Sequence, residues 1–146
     1  MMQRLREHLE IEEGCEYRIY LCSENVPTFG IGHAIKETDR EYGWPVDTEI
    51  PAERVAEAFE QDVQTCLKDC RWLHPDFDAL PEDAQITIAS LCFQLGQPRY
   101  QMFKLHHAAI EARDWREAAA QLRDSRLYRQ TTARTERHAR RLENLA

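Results

Sequence analysis

The chain has 146 residues, 42% of them hydrophobic, and a formal net charge of −7. That length supports one compact soluble domain, or at most two small lobes sharing a helix, and no apolar run reaches the 18 residues a membrane span needs. The start, Met1-Met2-Gln3-Arg4-Leu5, lacks the apolar core and cleavage site of a secretory signal, so a protein made and kept in the cytoplasm is expected. Five cysteines (Cys15, Cys22, Cys66, Cys70, Cys92) form an odd set without framework spacing, which predicts free thiols in a reducing compartment. Residues 1–112 hold 10 basic against 21 acidic residues, while residues 113–146 hold 9 arginines against 5 acids. Acids interleave with those arginines, so the expectation is ion pairing within the fold and no nucleic-acid partner.

Residues 2–13 read as a short helix with Leu5 and Leu9 on its apolar face, ending in Glu12-Glu13-Gly14. Gly14 is the residue that closes a helix in the left-handed conformation, which places Glu13 beside the negative end of the helix dipole. A carboxylate is locally disfavoured there, and local rules broken in this way mark functional sites. Arg18-Ile19-Tyr20-Leu21 reads as a strand, Ser23-Glu24-Asn25 as a turn, and Thr28-Phe29-Gly30-Ile31-Gly32 as a returning strand whose glycines permit close approach. Residues 36–50 read as an irregular loop with few core residues and no site.

From Pro51 the period changes: Val55, Phe59, Val63 and Leu67 lie four apart, predicting a helix over 51–71. Cys66, Cys70 and His74 also recur at intervals of four. Pro75 ends the helix near His74 and no fourth ligand is evident, so half-buried cysteines and no metal are expected. Pro81 opens an apolar helix through Ile86, Ile88, Leu91, Cys92, Phe93 and Leu95, stopped at Gly96-Gln97-Pro98, and this is the expected core of a second lobe. Further helices are predicted at 101–112, from a capped start at Asp114-Trp115-Arg116-Glu117, over a short turn at Ser125–Tyr128, and at 132–145.

Several of these stretches together resemble the small lysozymes of T-even and related phages, the muramidases of glycoside hydrolase family twenty-four. The resemblance rests on Glu13-Gly14, Ile19-Tyr20, Thr28 and Gly30-Ile31-Gly32-His33. It continues through Phe59-x-Gln61-Asp62-Val63, Phe93-Gln94-Leu95-Gly96, Phe103, Trp115-x-Glu117-Ala118-Ala119 and Ser125-Arg126-Leu127-Tyr128-x-Gln130-Thr131, in unbroken order. Residues 36–50 do not align.

What the resemblance implies is a mostly α, α+β fold of lysozyme type. It has an N-terminal β-hairpin lobe at about 12–55, a connecting helix at about 51–71, and a helical lobe at about 72–146 joined by helix 2–12. It implies hydrolysis of the β-1,4 bond between N-acetylmuramic acid and N-acetylglucosamine in peptidoglycan, without a cofactor. Glu13 matches the general acid, and Arg134 and Arg137 match arginines that support Glu13 and Glu12. Thr28 matches a threonine next to the attacking water. Gly30, Phe93 and Gln94 match substrate-contacting positions, with the Gln94 amide able to donate and accept. His33 is expected to be structural.

One position departs from the pattern. The second catalytic carboxylate of the family, an aspartate, falls on Cys22. A free thiol is mostly protonated at neutral pH, so Cys22 serves only where a neighbour favours the thiolate. It then acts as base or as nucleophile; otherwise Glu24 takes part, or activity has been lost. The expectation is retained hydrolysis with Cys22 in the place of the missing acid. The biological setting expected is a monomeric phage endolysin. It would be held in the host cytoplasm without stable membrane association, and released to the wall by a separate holin. A bacterial antagonistic effector and a non-catalytic peptidoglycan-binding module are the alternatives.

Overall fold

The computed structural model describes residues 1–146 and contains eight α-helices, one short 3-10 turn and a three-stranded antiparallel sheet. This is the mostly α, α+β architecture expected of a lysozyme-like chain. The chain divides into two compact units, Met2–Thr65 and Cys66–Ala146 with Met1, and the division falls inside one continuous helix. No helix is long and apolar enough to cross a membrane.

In the first unit, α1 (Met2–Glu13) buries Leu5 and Leu9 and ends at Gly14, whose φ of +73° and N–H bond to the Glu10 carbonyl close the helix as the glycine predicts. Strand β1 (Glu16–Leu21) pairs antiparallel with β2 (Pro27–Gly30), with Tyr20 opposite Thr28 and an irregularity between Glu16 and Tyr20. The returning strand is shorter than the sequence suggests. It stops at Gly30, and Gly30-Ile31-Gly32 turns the chain into β3 (His33–Ala34), with Phe29 opposite His33. Gly30 and Gly32 both lie at positive φ, +64° and +67°, a conformation that lets a strand reverse in so few residues.

Ile19, Phe29, Ile50, Val55 and Ala58 form the apolar cluster of this unit. Residues 36–50 contribute more than a loop with few core residues would. Ile50 enters the cluster, and Ile19 N–H donates to the Thr48 carbonyl at 3.0 Å while Ile50 N–H donates to that of Tyr17 at 2.8 Å. The segment thus lines the free edge of β1. Its charges are also internal: Glu41, 1% exposed, accepts from Arg54 Nε at 2.9 Å, and Arg54 also reaches Asp39 and Glu57. No periodicity marks such a fastening, because it is made by isolated charges far apart in the chain.

The long helix α2 (Ala52–Leu73) carries the four-residue apolar spacing into the second unit and stops before His74-Pro75. After a 3-10 turn (Phe77–Ala79), α3 (Glu82–Leu95) is buried on nearly all sides, as its composition predicts. Gly96, at φ +80°, ends it, and Pro98 does not stop the chain but sits in the first turn of a short helix α4 (Gln97–Tyr100). Helix α5 (Lys104–Glu111) starts three residues later than the apolar pattern suggests. Helix α6 (Trp115–Arg123) has the expected cap, the Asp114 carboxylate accepting Glu117 N–H at 3.1 Å. Helix α7 (Arg126–Gln130) is capped by Ser125, and α8 (Thr132–Glu143) packs on α6 and α7. Arginines of this region pair internally: Arg123 with Glu136 and Glu143, Arg140 with Glu136, and Arg113 with Asp76.

Candidate active site

Glu13 is the last residue of α1, and the turn glycine Gly32 lies against it: a Cβ built on residue 32 would come 3.1 Å from Glu13 Oε2 and 3.3 Å from its Cβ. The glycine motif therefore has a steric reason. Gly30 has a different neighbour, since a Cβ there would meet Val55 Cγ1 at 3.1 Å. One glycine makes room for the acid and the other for the helix that backs the sheet.

Cys22 opens the turn after β1. Its N–H donates to the Val26 carbonyl at 3.0 Å, and its own carbonyl accepts from Asn25 N–H at 2.9 Å, with Asn25 at φ +61°. The sulfur faces donors. The backbone N–H of Val26, then that of Glu24, and the Thr28 hydroxyl all favour its anion and hold the thiol below its ordinary range, against partial burial and the Glu24 charge. An aspartate in a turn accepts the N–H two residues on in the same way. Cys22 therefore occupies a turn whose donors lower the proton affinity of its thiol.

Thr28 is buried, and its hydroxyl donates to the Val26 carbonyl at 2.8 Å. One hydroxyl proton serves one acceptor at a time. With Cys22 neutral it goes to the carbonyl; a thiolate competes for it, and in either state the lone pairs of Oγ1 are left for a water.

His33 is held on both ring nitrogens. It lies between two carboxylates, Nδ1 2.7 Å from Asp62 Oδ2 and Nε2 2.8 Å from Asp39 Oδ2. Burial alone would push its pKa down, but Asp62 and then Asp39 outweigh it, so the imidazolium is favoured. Asp39 is in turn held by Lys36 N–H and Arg54. Sequence reasoning missed Asp39, Asp62 and Arg54 as the frame behind the hairpin. The one available signal was Asp62 within the Phe59-x-Gln61-Asp62 motif.

In the second unit, Phe93 and Gln94 are the only half-exposed residues in the last three turns of the otherwise buried α3. Gln94 Oε1 is buried with no hydrogen-bond partner in the protein, an acceptor left open. Arg134 is half-buried and Arg137 exposed on α8. His74 does not join Cys66 and Cys70. Its Nδ1 meets Glu111 Oε1 at 2.7 Å and its Nε2 meets His107 Nδ1 at 2.8 Å.

Comparison with known proteins covers nearly the whole chain. The phage lysozyme family pattern matches residues 10–141, a span that includes Glu13, Cys22, Thr28, Phe93, Gln94, Arg134 and Arg137. The chain is 28% identical to probable T4-type lysozyme 2 of Dictyostelium discoideum over 94% of its own length and 92% of that protein's. It is 26% identical to probable T4-type lysozyme 1 of the same organism, with the same coverage. It is also 29% identical to the pre-baseplate central spike protein Gp5 of Enterobacteria phage T4, where 91% of the chain corresponds to 26% of the larger protein. With the match running from the end of α1 into α8, the chain belongs to the phage lysozyme family and is a glycosidase of the muramidase type, with peptidoglycan as its substrate.

Proposed function

We propose that the enzyme hydrolyses the β-1,4 bond between N-acetylmuramic acid and N-acetylglucosamine, with Glu13 as proton donor and Cys22 in the place of the second carboxylate. The observation that carries this reading is the Cys22–Thr28 pair, a thiol below its ordinary range beside a hydroxyl with open lone pairs. Glu13 passes its proton to the glycosidic oxygen as the C1–O bond breaks. A water held by Thr28 gives a proton to the Cys22 thiolate and adds to C1 from the opposite face, inverting the anomer. Gly30 borders the reacting sugars, Phe93 and Gln94 contact the glycan, and Arg134 and Arg137 keep the supporting role that the family resemblance gives them. Glu13→Gln is expected to lose about 100- to 10,000-fold in clearing permeabilised Gram-negative cells. A folded Glu13→Gln variant that clears at the parent rate overturns the assignment.

A second route is favoured by the same lowered thiol. The thiolate attacks C1 directly, the leaving oxygen takes the Glu13 proton, and a thioglycoside forms. Water then displaces sulfur while the Glu13 carboxylate takes its proton, giving retention. NMR of the first-formed anomer separates the two, inversion supporting the water route.

The proposed setting is a phage endolysin, monomeric, resident in the host cytoplasm until a separate holin opens the membrane and then acting on the wall. Expression in the cytoplasm of a Gram-negative host tests it. Growth is expected to continue until the inner membrane is permeabilised, and lysis without permeabilisation overturns the dependence on a holin.

A further inference from the structure

Three thiols that no catalytic step uses meet in the core of the second unit. Cys66 and Cys70 lie one turn apart near the end of α2, and Cys92 comes from α3. Their sulfurs all lie within 4.8 Å of one another, and the three residues are 5%, 0% and 3% exposed. Cys66 also donates its S–H to the Ala89 carbonyl at 3.1 Å. Three sulfurs bound at about 2.3 Å to a pyramidal centre stand about 3.5 Å apart, so a soft atom is held by all three after inward shifts of less than about 1 Å.

The surroundings decide which kind of atom. A structural zinc ion takes four ligands, and the nearby imidazoles have their nitrogens committed: His74 to Glu111 and His107, and His107 to His74 and the Tyr100 carbonyl. The site therefore offers three donors. It is also dry, so a complex that leaves net charge behind carries a large desolvation cost. A trivalent thiophilic metalloid meets both conditions. With arsenous acid, three As–S bonds form and three As–O bonds break. The three hydroxyls leave as water with the three thiol protons, and the product is uncharged.

We propose that Cys66, Cys70 and Cys92 form a three-sulfur binding site for a trivalent, three-coordinate metalloid, with arsenite as its probe. Binding cross-links α2 to α3 and stabilises the folded unit by mass action. Entry requires local opening of the core, so loading is slow.

The test uses the full chain carrying Cys15→Ser and Cys22→Ser, reduced with a phosphine and incubated for hours with arsenite. Native mass spectrometry is expected to find one arsenic per chain with the loss of three hydrogens, and the melting temperature is expected to rise with arsenite concentration. Both effects should vanish in Cys92→Val, which preserves apolar volume, and in Cys66→Ala, each checked for native circular dichroism. Absence of the adduct in the folded parent overturns the site. So does an adduct that retains a hydroxyl, which reports two sulfurs, or one that persists in both variants. A tighter one-to-one complex with zinc overturns the three-coordinate assignment.

Discussion

Gly32, in the turn between β2 and β3, faces Glu13 at the end of α1, and a Cβ at residue 32 would stand 3.1 Å from the carboxylate oxygen of Glu13. Gly32→Ala has two separable effects. The positive φ of +67° costs about 1–2 kcal/mol for any L side chain, and the added methyl displaces the acid. Gly14→Ala provides the comparison, being at φ +73° with open space around its Cβ position. Both variants should lose similar stability in a thermal melt, but only Gly32→Ala should lose at least tenfold more activity than its stability loss explains. Equal activity losses would assign the effect to backbone strain alone.

The turn donors around Cys22 predict a measurable reactivity. In a Cys15→Ser background, the iodoacetamide rate at Cys22 should rise with pH around a midpoint below that of an unperturbed thiol. Thr28→Val removes one donor and should move that midpoint up. If the thiolate takes part in hydrolysis, the acid limb of the activity profile follows the same midpoint, and Cys22→Asp carries the limb down toward the carboxylate range. A profile identical in Cys22→Asp, Cys22→Ser and the parent removes the residue from the mechanism.

Arg54 is the cation of a buried network, 9% exposed, against Glu41 at 1% and with its guanidinium 5.5 Å over the Phe29 ring. Arg54→Met keeps most of the volume and leaves buried carboxylates without their partner, which costs about 3–5 kcal/mol. Glu41→Gln together with Arg54→Met should recover part of that loss in urea titrations. A single variant within about 1 kcal/mol of the parent would mean that Glu41 reaches water.

His106 gives the second unit a built-in acid sensitivity. Its Nδ1–H donates to the Ala118 carbonyl at 2.9 Å and its Nε2 accepts from the Tyr100 hydroxyl at 2.8 Å, so the native ring is neutral. Burial pushes its pKa down to about 3. The unfolded chain, with an ordinary histidine near 6.5, binds the proton first. Stability from this group is whole above about pH 6.5 and falls by up to about 1.4 kcal/mol per pH unit below it, down to about pH 3. His106→Gln is expected to be about 1–3 kcal/mol less stable at pH 7 and to show a shallower decline between pH 6 and 4. Parallel declines in both proteins would place the sensitivity elsewhere.

Much of this was readable in residue order because the signals were local. The four-residue spacing of Val55, Phe59 and Val63, the glycine after Glu13, and the Asp114 and Ser125 caps each depend on neighbours within one or two turns. The motif carrying Glu13, Thr28 and the two glycines was legible for the same reason. The hidden features are long-range and polar. Glu41 with Arg54, His33 with Asp62, and Cys92 with Cys66 are joined across 13, 29 and 26 residues, where no periodic pattern survives. The fine structure of the glycine turn was misjudged because glycines suit a straight strand at close approach and a reversal equally well. Only the pairing of Phe29 with His33 distinguishes them.

The bridge from His33 to Asp62 also sets an order of events during synthesis. The hairpin leaves the ribosome before the carboxylate that clamps its last strand, which lies 29 residues after His33, and the arginine that neutralises Glu41 lies 13 residues after that glutamate. At ordinary translation speeds the strands wait about 1.5–6 s before Asp62 follows His33 out of the tunnel. Within that interval Glu41 is without its arginine for 13 residues, until Arg54 is made. The contacts that fasten the amino-terminal unit are therefore complete only once the first three turns of the helix behind it have been made.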